Sequence, residues 1–148
     1  MKKCLAIILA AAAKIPLRPC FTAGTMIRTQ VSCVSVETLA VRDLVWTQHS
    51  GFQAIEWMNA TTIKTNADTA PIRFDTGTFG NDVRLSVSPN HRIYCSGQQA
   101  QFLFGCDDVL IEAKHFIGQA GVDVTAPETV TYYHFMFDSH QSFSWMAL

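Results

Sequence analysis

Beyond residue 19, short runs of β-branched, aromatic and other apolar residues alternate with turn residues about every ten positions. Because no stretch shows helical periodicity over a useful length, the pattern predicts a single all-β domain of the barrel or sandwich type. The strands predicted in the first half of this body are residues 26–29, 34–36, 44–47, 52–57, 61–65 and 71–74.

The clearest alternation covers residues 83–88, where every second residue from Val83 is apolar and is expected on the core face. Pro89 lacks the N–H that a sheet ladder needs, so the strand is predicted to end there. This ending places Ser88 and His91 together at the mouth of the strand.

The second half of the body is predicted to hold one hairpin, one helix and one long strand. Residues 92–95 are expected to pair with 102–104 across a turn at 96–98, and 109–115 to form the only short helix. Residues 129–137 are the longest predicted strand, with residues 131, 133, 135 and 137 on one face. The other face carries Val130, Tyr132, His134, Met136, Asp138 and His140.

The composition is that of one folded domain with a buried core. The chain has 148 residues, of which 49% are hydrophobic and 16% charged, and its formal net charge is -1. This balance excludes a disordered chain. The sequence has no stripe of basic residues that could contact the phosphates of a nucleic acid, so we expect no nucleic-acid partner.

The cysteines are five in number: Cys4, Cys20, Cys33, Cys95 and Cys106. None forms a CxxC pair, so the sequence gives little support to a structural zinc site. An odd count leaves at least one thiol unpaired or bonded to another chain. We expect Cys33, Cys95 and Cys106 to be buried small apolar side chains or to include a disulfide pair.

Residues 1–19 are predicted to be a leader segment. Lys2 and Lys3 precede an apolar run at 4–13 that is too short to span a bilayer, so no stable membrane insertion is expected. The positive start, the short apolar centre and the alanines at 11–13 predict a secretory signal peptide; a buried helix and a misassigned start are the alternatives. The protein is then secreted or periplasmic if the signal is real, and otherwise cytoplasmic, with residues 20–148 as its domain.

Cys20 is a candidate nucleophile for the peptide bond that precedes it. Attack of its thiol on the Pro19 carbonyl converts an amide into a thioester, an uphill step in which the departing nitrogen needs a proton. Imidazole exchanges protons near neutral pH, and a hydroxyl or backbone donor can stabilise the oxygen of the intermediate. Ser88 and His91 supply these two groups across a tight turn, although they also fit an ordinary Ser-Pro-Asn turn with a solvated histidine.

His134, Asp138 and His140 share one face of the last predicted strand, and a carboxylate such as Asp138 can orient an imidazole for proton transfer. The same three residues are potential zinc ligands. No other ligand cluster supports a metal, and we expect no cofactor. A histidine within an aromatic strand also fits a satisfied core residue.

Four segments, in this order, resemble the Hint family of hedgehog autoprocessing domains, inteins and bacterial intein-like domains. They are Cys-Phe-Thr-Ala-Gly-Thr at 20–25, Val-Glu-Thr-Leu-Ala-Val-Arg-Asp-Leu-Val at 36–45, Ser-Pro-Asn-His at 88–91 and Tyr-Tyr-His-Phe-Met-Phe-Asp-Ser-His at 132–140. The resemblance runs from Cys20 to about Phe143 and is greatest to the bacterial branch. Arg42 stands where the family usually has glycine, so that turn is expected to close differently.

The resemblance implies an all-β Hint fold, a flattened horseshoe of β-hairpins with Cys20 buried at its centre. It implies that Cys20 performs an N-to-S acyl shift assisted by His91, with Ser88 keeping the hydroxyl of the family's threonine. His140 resembles the histidine of the family's late block, and His134 falls where inteins often carry aspartate or cysteine.

The family's reaction is a single turnover in cis on the chain's own upstream segment and needs no cofactor. Residues 140–148 contain no asparagine, so the cyclisation that completes protein splicing has no residue to perform it. We therefore expect a thioester at Pro19–Cys20 that is resolved by water or a small external nucleophile. The alternatives are an inactive Hint domain truncated at its C-terminal end, and a secreted β-rich binding domain in which Cys20 forms a disulfide.

Overall fold

The structure is a computed structural model that describes residues 5–8, 20–47, 50–138 and 143–146. Within these residues it contains fourteen strands, the helix α1 (Gln98–Phe104) and two 3₁₀ helices (Val36–Thr38 and Ala113–Phe116). The strands are β1 (Leu5–Ile8), β2 (Phe21–Thr22), β3 (Met26–Arg28), β4 (Cys33–Ser35), β5 (Leu44–Thr47), β6 (Gly51–Ala54), β7 (Trp57–Lys64), β8 (Ile72–Phe74), β9 (Leu85–Val87), β10 (Arg92–Ser96), β11 (Asp108–Glu112), β12 (Val122–Val124), β13 (Thr129–Met136) and β14 (Phe143–Met146).

The strands form antiparallel sheets, as the alternating pattern predicted. One six-stranded sheet has the order β11-β10-β1-β14-β5-β6, and the other has the order β12-β8-β9-β2-β13-β7. The β3 and β4 strands pair separately. The all-β prediction is confirmed for the described part of the chain, and the strands predicted in its first half lie within a few residues of their expected bounds.

Buried aromatic side chains fill the core between these elements. Phe21 and Phe135 stack with ring centroids 5.8 Å apart, and Phe74 contacts Phe116 at 5.9 Å. All four side chains are essentially inaccessible to solvent. Since truncating a buried phenylalanine to alanine typically costs about 3–5 kcal/mol, this cluster is a main source of the domain's stability. It also fixes β2, which carries Phe21, in the middle of its sheet.

The prediction that residues 102–104 form a strand is wrong, because residues 98–104 form α1 instead. Gly97 and Gly105 bracket the helix with φ of 72° and 68°, values that glycine adopts without steric cost. The Gly105 N–H donates to the Gln101 carbonyl at 3.0 Å and ends the helix. Phe102 is 89% exposed, so its aromatic character does not mark a core strand.

The helix predicted for residues 109–115 is also absent, since most of this run forms β11. This strand takes the place expected for 102–104 and pairs with β10 from Arg92 opposite Glu112 to Ser96 opposite Asp108. The run of apolar residues at 109–111 suits a pleated, half-buried strand at the sheet edge. Only the following Ala113–Phe116 segment is helical, as a 3₁₀ turn.

The turn at Arg42 keeps a backbone conformation that normally requires glycine. Arg42 has φ of 83°, and it is the one non-glycine residue with positive φ among the described residues. Its N–H donates to the Ile55 carbonyl at 2.8 Å, so the turn is held against the chain that follows β6. The turn therefore closes with an arginine at positive φ, a conformation that glycine takes without steric cost. The expectation of a closure different from the family's stays a prediction.

Part of the predicted leader segment is described as a strand. The β1 strand pairs with β10 on one side and with β14 on the other, which contradicts the alternative of a buried helix for this stretch. Among the described residues, no helix has the length and apolar character needed to cross a membrane. The signal peptide remains a prediction.

Candidate active site

Cys20 lies directly before β2, the strand between β9 and β13 in its sheet. Phe21 pairs with Val87 of β9 and with Tyr133 of β13, both in antiparallel register. Extending each register by one residue sets Cys20 level with Ser88 on one side and with His134 on the other. The sheet therefore brings together residues that are about seventy and more than a hundred positions apart in the chain.

Cys20 and Ser88 are joined by two hydrogen bonds. The Cys20 N–H donates to the Ser88 Oγ at 3.0 Å, and the Ser88 N–H donates to the Cys20 carbonyl oxygen at 3.0 Å. Both residues are buried, with exposed fractions of 8% and 0%. The nitrogen that contacts the Ser88 hydroxyl is the nitrogen of the 19–20 peptide bond, so the serine predicted from sequence sits against the bond that would be cleaved.

The residues after Cys20 are held by neighbouring segments. Thr22 and Thr25 both donate a hydroxyl to the carbonyl oxygen of Ser86, at 3.1 and 3.4 Å. The Gly24 N–H donates to a carboxylate oxygen of Glu37 at 2.8 Å. Gly24 has φ of 82°, which explains the glycine in the opening motif. The turn after β2 is thus fixed by two partners distant in the chain, Ser86 and Glu37.

His91 enters the site through the turn that follows β9. Its N–H donates to the Ser88 carbonyl at 3.0 Å, which closes the 88–91 turn. The imidazole is fully buried and lies against Phe21, with ring centroids 4.7 Å apart. One alternative from the sequence made His91 a solvated turn residue. The structure instead places its ring in the interior, beside the Cys20–Phe21 backbone.

The His91 imidazole is held neutral at physiological pH. Burial lowers its pKa to about 3; proximity to the Cys20 backbone acts in the opposite direction, and charge on His134 lowers the pKa further. Neither ring nitrogen has a hydrogen-bond partner among the described residues. Leaving such buried polar atoms unpaired costs free energy, and they remain available to accept or donate a proton.

The two faces of β13 separate the surroundings of the thiol from those of His91. Phe135 contacts both Phe21 and Phe137 on one face, and His91 packs against Phe21 on this side. Cys20 packs with Val130 and Tyr132 on the other face. The alternation predicted for this strand is confirmed by these contacts.

His134 belongs to the face of β13 that carries Cys20. It is 9% exposed and contacts the Trp57 ring edge-on, with ring centroids 5.7 Å apart. Its charge is close enough to act on the pKa of His91. His91 and His134 are therefore near enough for charge on one to act on the other.

Tyr132 is a site residue that the sequence analysis did not single out. Its hydroxyl donates to the Thr69 carbonyl oxygen at 2.8 Å, and its ring packs against Cys20. Burial raises the pKa of Tyr132 well above its ordinary value, and charge on Cys20 raises it further. Its position on the same face as His134 was visible in the alternation, but nothing in the sequence indicated contact with the thiol.

Asp138 and His140 remain predictions as site residues. Asp138 follows the end of β13 and is exposed to solvent. His140 lies outside the described residues. The zinc site suggested for His134, Asp138 and His140 therefore stays a prediction. Among the residues that are described, no group of three or more histidine, cysteine or acidic side chains could hold a metal ion.

The structure describes three further cysteines, and none of them belongs to the group of residues packed with Cys20. Cys33, Cys95 and Cys106 are free thiols in the described part of the chain. Cys95 is buried, and burial raises its pKa to about 11, so this thiol stays protonated at neutral pH. The expectation of a small buried apolar side chain is confirmed for Cys95, while Cys33 and Cys106 are half-buried.

Comparison with known protein families identifies the family of this chain. A family model for the Hint domain (Hint_2) matches residues 19–144, which is most of the chain. This chain belongs to the Hint family. No curated protein matches it at a significant level.

Solved structures with the same fold include intein-like proteins. The Hint domain of this chain is similar to the bacterial intein-like domain from Clostridium thermocellum, with a TM-score of 0.58 and 16% identity over 85% of this chain and 92% of the other. A splice-inactive variant of the AceL NrdHF class 3 split intein has a TM-score of 0.55 and 17% identity over 86% and 97% of the two chains. At these identities the likeness establishes the fold, and the Hint-type fold class is confirmed.

Proposed function

We propose that this Hint domain cleaves its own upstream segment from Cys20 by an N-to-S acyl shift. The Cys20 sulfur forms a bond to the carbonyl carbon of residue 19, the bond from that carbon to the Cys20 nitrogen breaks, and the thiol proton ends on the departing nitrogen. The observation that carries the proposal is the contact of the Cys20 N–H with the Ser88 Oγ at 3.0 Å beside the buried His91.

His91 is the proposed proton carrier. A neutral imidazole whose pKa is lowered to about 3 gives up a proton readily once it has gained one. It lies against Phe21, whereas the Cys20 side chain packs on the opposite face of the sheet. This division favours attack by sulfur from one side of the scissile bond and protonation of nitrogen from the other.

Ser88 and His134 have supporting roles in the proposal. The Ser88 hydroxyl fixes the orientation of the scissile nitrogen by accepting its N–H. His134 faces the same side as the thiol and supplies a second titrating group, which can take the thiol proton when Cys20 attacks. The remaining sequence candidates, Asp138 and His140, are given no role in the acyl shift.

The proposed thioester is resolved by an outside nucleophile and not by splicing. Water attacks the acyl carbon, the carbon–sulfur bond breaks, and the upstream segment leaves as a carboxylic acid while Cys20 regains its thiol. A small thiol or amine takes the same course and leaves the segment as a thioester or amide.

The test is intact mass analysis of a precursor that carries a reporter before Lys14 and a tag after Leu148. We expect added thiol to accelerate release of the upstream piece and to leave the body joined to the tag. Cys20→Ala should abolish release, and Cys33→Ala, which changes a cysteine away from the site, should not.

Three results would count against the proposal. Thiol-dependent release from the Cys20→Ala variant would remove the nucleophile from its role. A product joining the reporter directly to the tag would restore full splicing. A precursor that stays uncleaved under all thiol conditions would favour the inactive Hint domain, and a disulfide at Cys20 would favour the binding domain.

A further inference from the structure

The 88–91 turn is held from a second side, away from Cys20, by the segment that follows β11. The Ala113 N–H donates to the His91 carbonyl at 2.7 Å, and the Lys114 N–H donates to the Pro89 carbonyl at 3.0 Å. The turn therefore lies between β2 and the start of the Ala113–Phe116 helix. Each side contributes backbone hydrogen bonds to it.

A side-chain bridge adds to this second side. The Lys114 Nζ donates to the Asn90 Oδ1 at 3.0 Å and lies 2.7 Å from a carboxylate oxygen of Glu112. The Lys114 hydrogen bond is the largest cause of a lowered pKa at Glu112, which keeps this carboxylate charged at neutral pH. Asn90, Lys114 and Glu112 form a chain that we term the turn clamp.

The turn clamp matters because His91 lacks side-chain hydrogen bonds of its own among the described residues. Its ring is located by contact with Phe21 and by the backbone of the turn that carries it. Displacement of a catalytic group by a fraction of an ångström slows reactions substantially, since proton transfer depends steeply on geometry. Whatever fixes the turn therefore fixes the proton carrier.

We propose that Lys114 is a positioning residue for the acyl shift, acting on His91 through Asn90; this rests on the proposed function. Lys114 touches none of the reacting atoms, and its side chain is 43% exposed at the surface. Lys114 holds the middle of the 88–91 turn from the protein surface. Ser88 holds the first residue of the turn from the buried side, next to Cys20.

The first measurement is the rate of thiol-induced cleavage in the reporter precursor. Lys114→Met keeps the length of the side chain and removes the ammonium, and should slow cleavage about fivefold, the loss expected for one net hydrogen bond. Lys114→Arg can still bind Asn90 and Glu112 and should restore the rate to within about twofold of wild type. Lys64→Met, at the exposed end of β7, is the matched control and should leave the rate unchanged.

A double variant tests whether the effect passes through Asn90. In an Asn90→Ala background, Lys114→Met should cause no further slowing, because the bridge is already broken. Independent, multiplied losses would overturn the assignment. So would a Lys114→Met rate equal to wild type, or a Lys114→Arg rate as slow as that of Lys114→Met.

A second readout does not require cleavage. In the Cys20→Ala precursor, the His91 ring resonances in NMR spectra should shift or broaden with Lys114→Met and keep their positions with Lys114→Arg. If wild type never cleaves but these resonances respond, the proposed function fails and the clamp stands. If wild type cleaves and the resonances do not move, the clamp fails alone.

Discussion

Two turns of this domain differ in which part of a residue is in an unfavourable state: the main chain in one and a side chain in the other. The Arg42 turn, residues 40–43, is on the surface and has a residue with φ of 83° in its backbone. The 88–91 turn is largely buried, has no positive φ among its residues, and carries an imidazole without hydrogen-bond partners in the described structure. One turn is strained in its main chain, and the other is unsatisfied in a side chain.

The difference follows from what restrains each turn. The Arg42 turn is closed locally, by the Asp43 N–H to the Ala40 carbonyl and the Ala40 N–H to the Asp43 carboxylate, and is tied to Ile55. The 88–91 turn is held by Cys20 from one direction and by Ala113 and Lys114 from the other. The buried His91 imidazole at the proposed reaction centre keeps its position because these distant segments hold the turn that carries it.

The largest effect is expected at the imidazole itself. His91→Ala should slow thiol-induced cleavage by about 10²-fold or more, a typical loss when a general acid–base group is removed. The measurement is the single-turnover rate by intact mass. Lys64→Met, at the exposed end of β7, serves as the control. Unchanged cleavage in His91→Ala would transfer the role of proton carrier to His134.

The unsatisfied imidazole should also make stability depend on pH. Since an unfolded histidine titrates near pH 6.5 and folded His91 near 3, the unfolded state binds an extra proton between these values. The stability associated with neutral His91 is complete above pH 6.5 and is lost as falling pH protonates the histidine of the unfolded state. This protonation should lower the free energy of unfolding by about 2 kcal/mol between pH 7 and pH 5.

The check is the urea unfolding midpoint of wild type and His91→Gln at the two pH values. Glutamine does not titrate, so this variant should show a smaller loss on acidification than wild type. An equal loss in both proteins would mean that His91 is not held neutral by burial. Using the difference between the two proteins removes the contribution of the carboxylates and of the other histidines.

A smaller effect is expected at the entrance to the 88–91 turn. Ser88→Ala leaves the buried Cys20 N–H without its acceptor and should lower the free energy of unfolding by about 1–2 kcal/mol. Ser88→Thr keeps the hydroxyl and should lose less. Thermal or urea unfolding of the Cys20→Ala precursor measures this without interference from cleavage. Equal stability of the alanine variant and wild type would show that water replaces the hydroxyl.

The smallest effect should come from the Arg42 turn, and it should be favourable. Arg42→Gly removes the cost of positive φ, partly offset by the greater backbone freedom of glycine when unfolded, for a net gain of about 1 kcal/mol or less. The unfolding midpoint should rise while the cleavage rate stays at the wild-type value. A fall in stability would show that the Arg42 side chain contributes more than its backbone costs.

The sequence predicted those parts of the fold in which buried alternation is strong. Leu85 and Val87 of β9 and the two faces of β13 follow the period of two, and both strands border Cys20. Around residues 98–112 the same reasoning failed. Helix α1 buries Ala100 and exposes Phe102, and its boundaries are set by Gly97 and Gly105. Two glycines with seven residues between them were the available signal, and the aromatic residues in this interval obscured it.

The candidate site divides in a similar way. Cys20, Ser88 and His91 could be chosen from residue types and their order in the chain, because the chemistry demands a thiol, a hydroxyl and an imidazole. The contact of Tyr132 with Cys20 and the bridge from Lys114 to Asn90 depend on three-dimensional packing. The role that the spacing from His134 suggested for Asp138 stays a prediction, with Asp138 exposed just beyond the end of β13.

The burial of the Cys20 nitrogen bears on the reversibility of the proposed acyl shift. Once the peptide bond opens, that nitrogen becomes the α-amine of a residue that is 8% exposed, next to the Ser88 oxygen. An exposed α-amine has a pKa near about 7.7–8.0, and burial disfavours its charged form. A neutral amine beside a thioester can attack it and restore the amide. The opened and closed forms should therefore interconvert, and the reaction proceeds in one direction only when an outside nucleophile removes the acyl group.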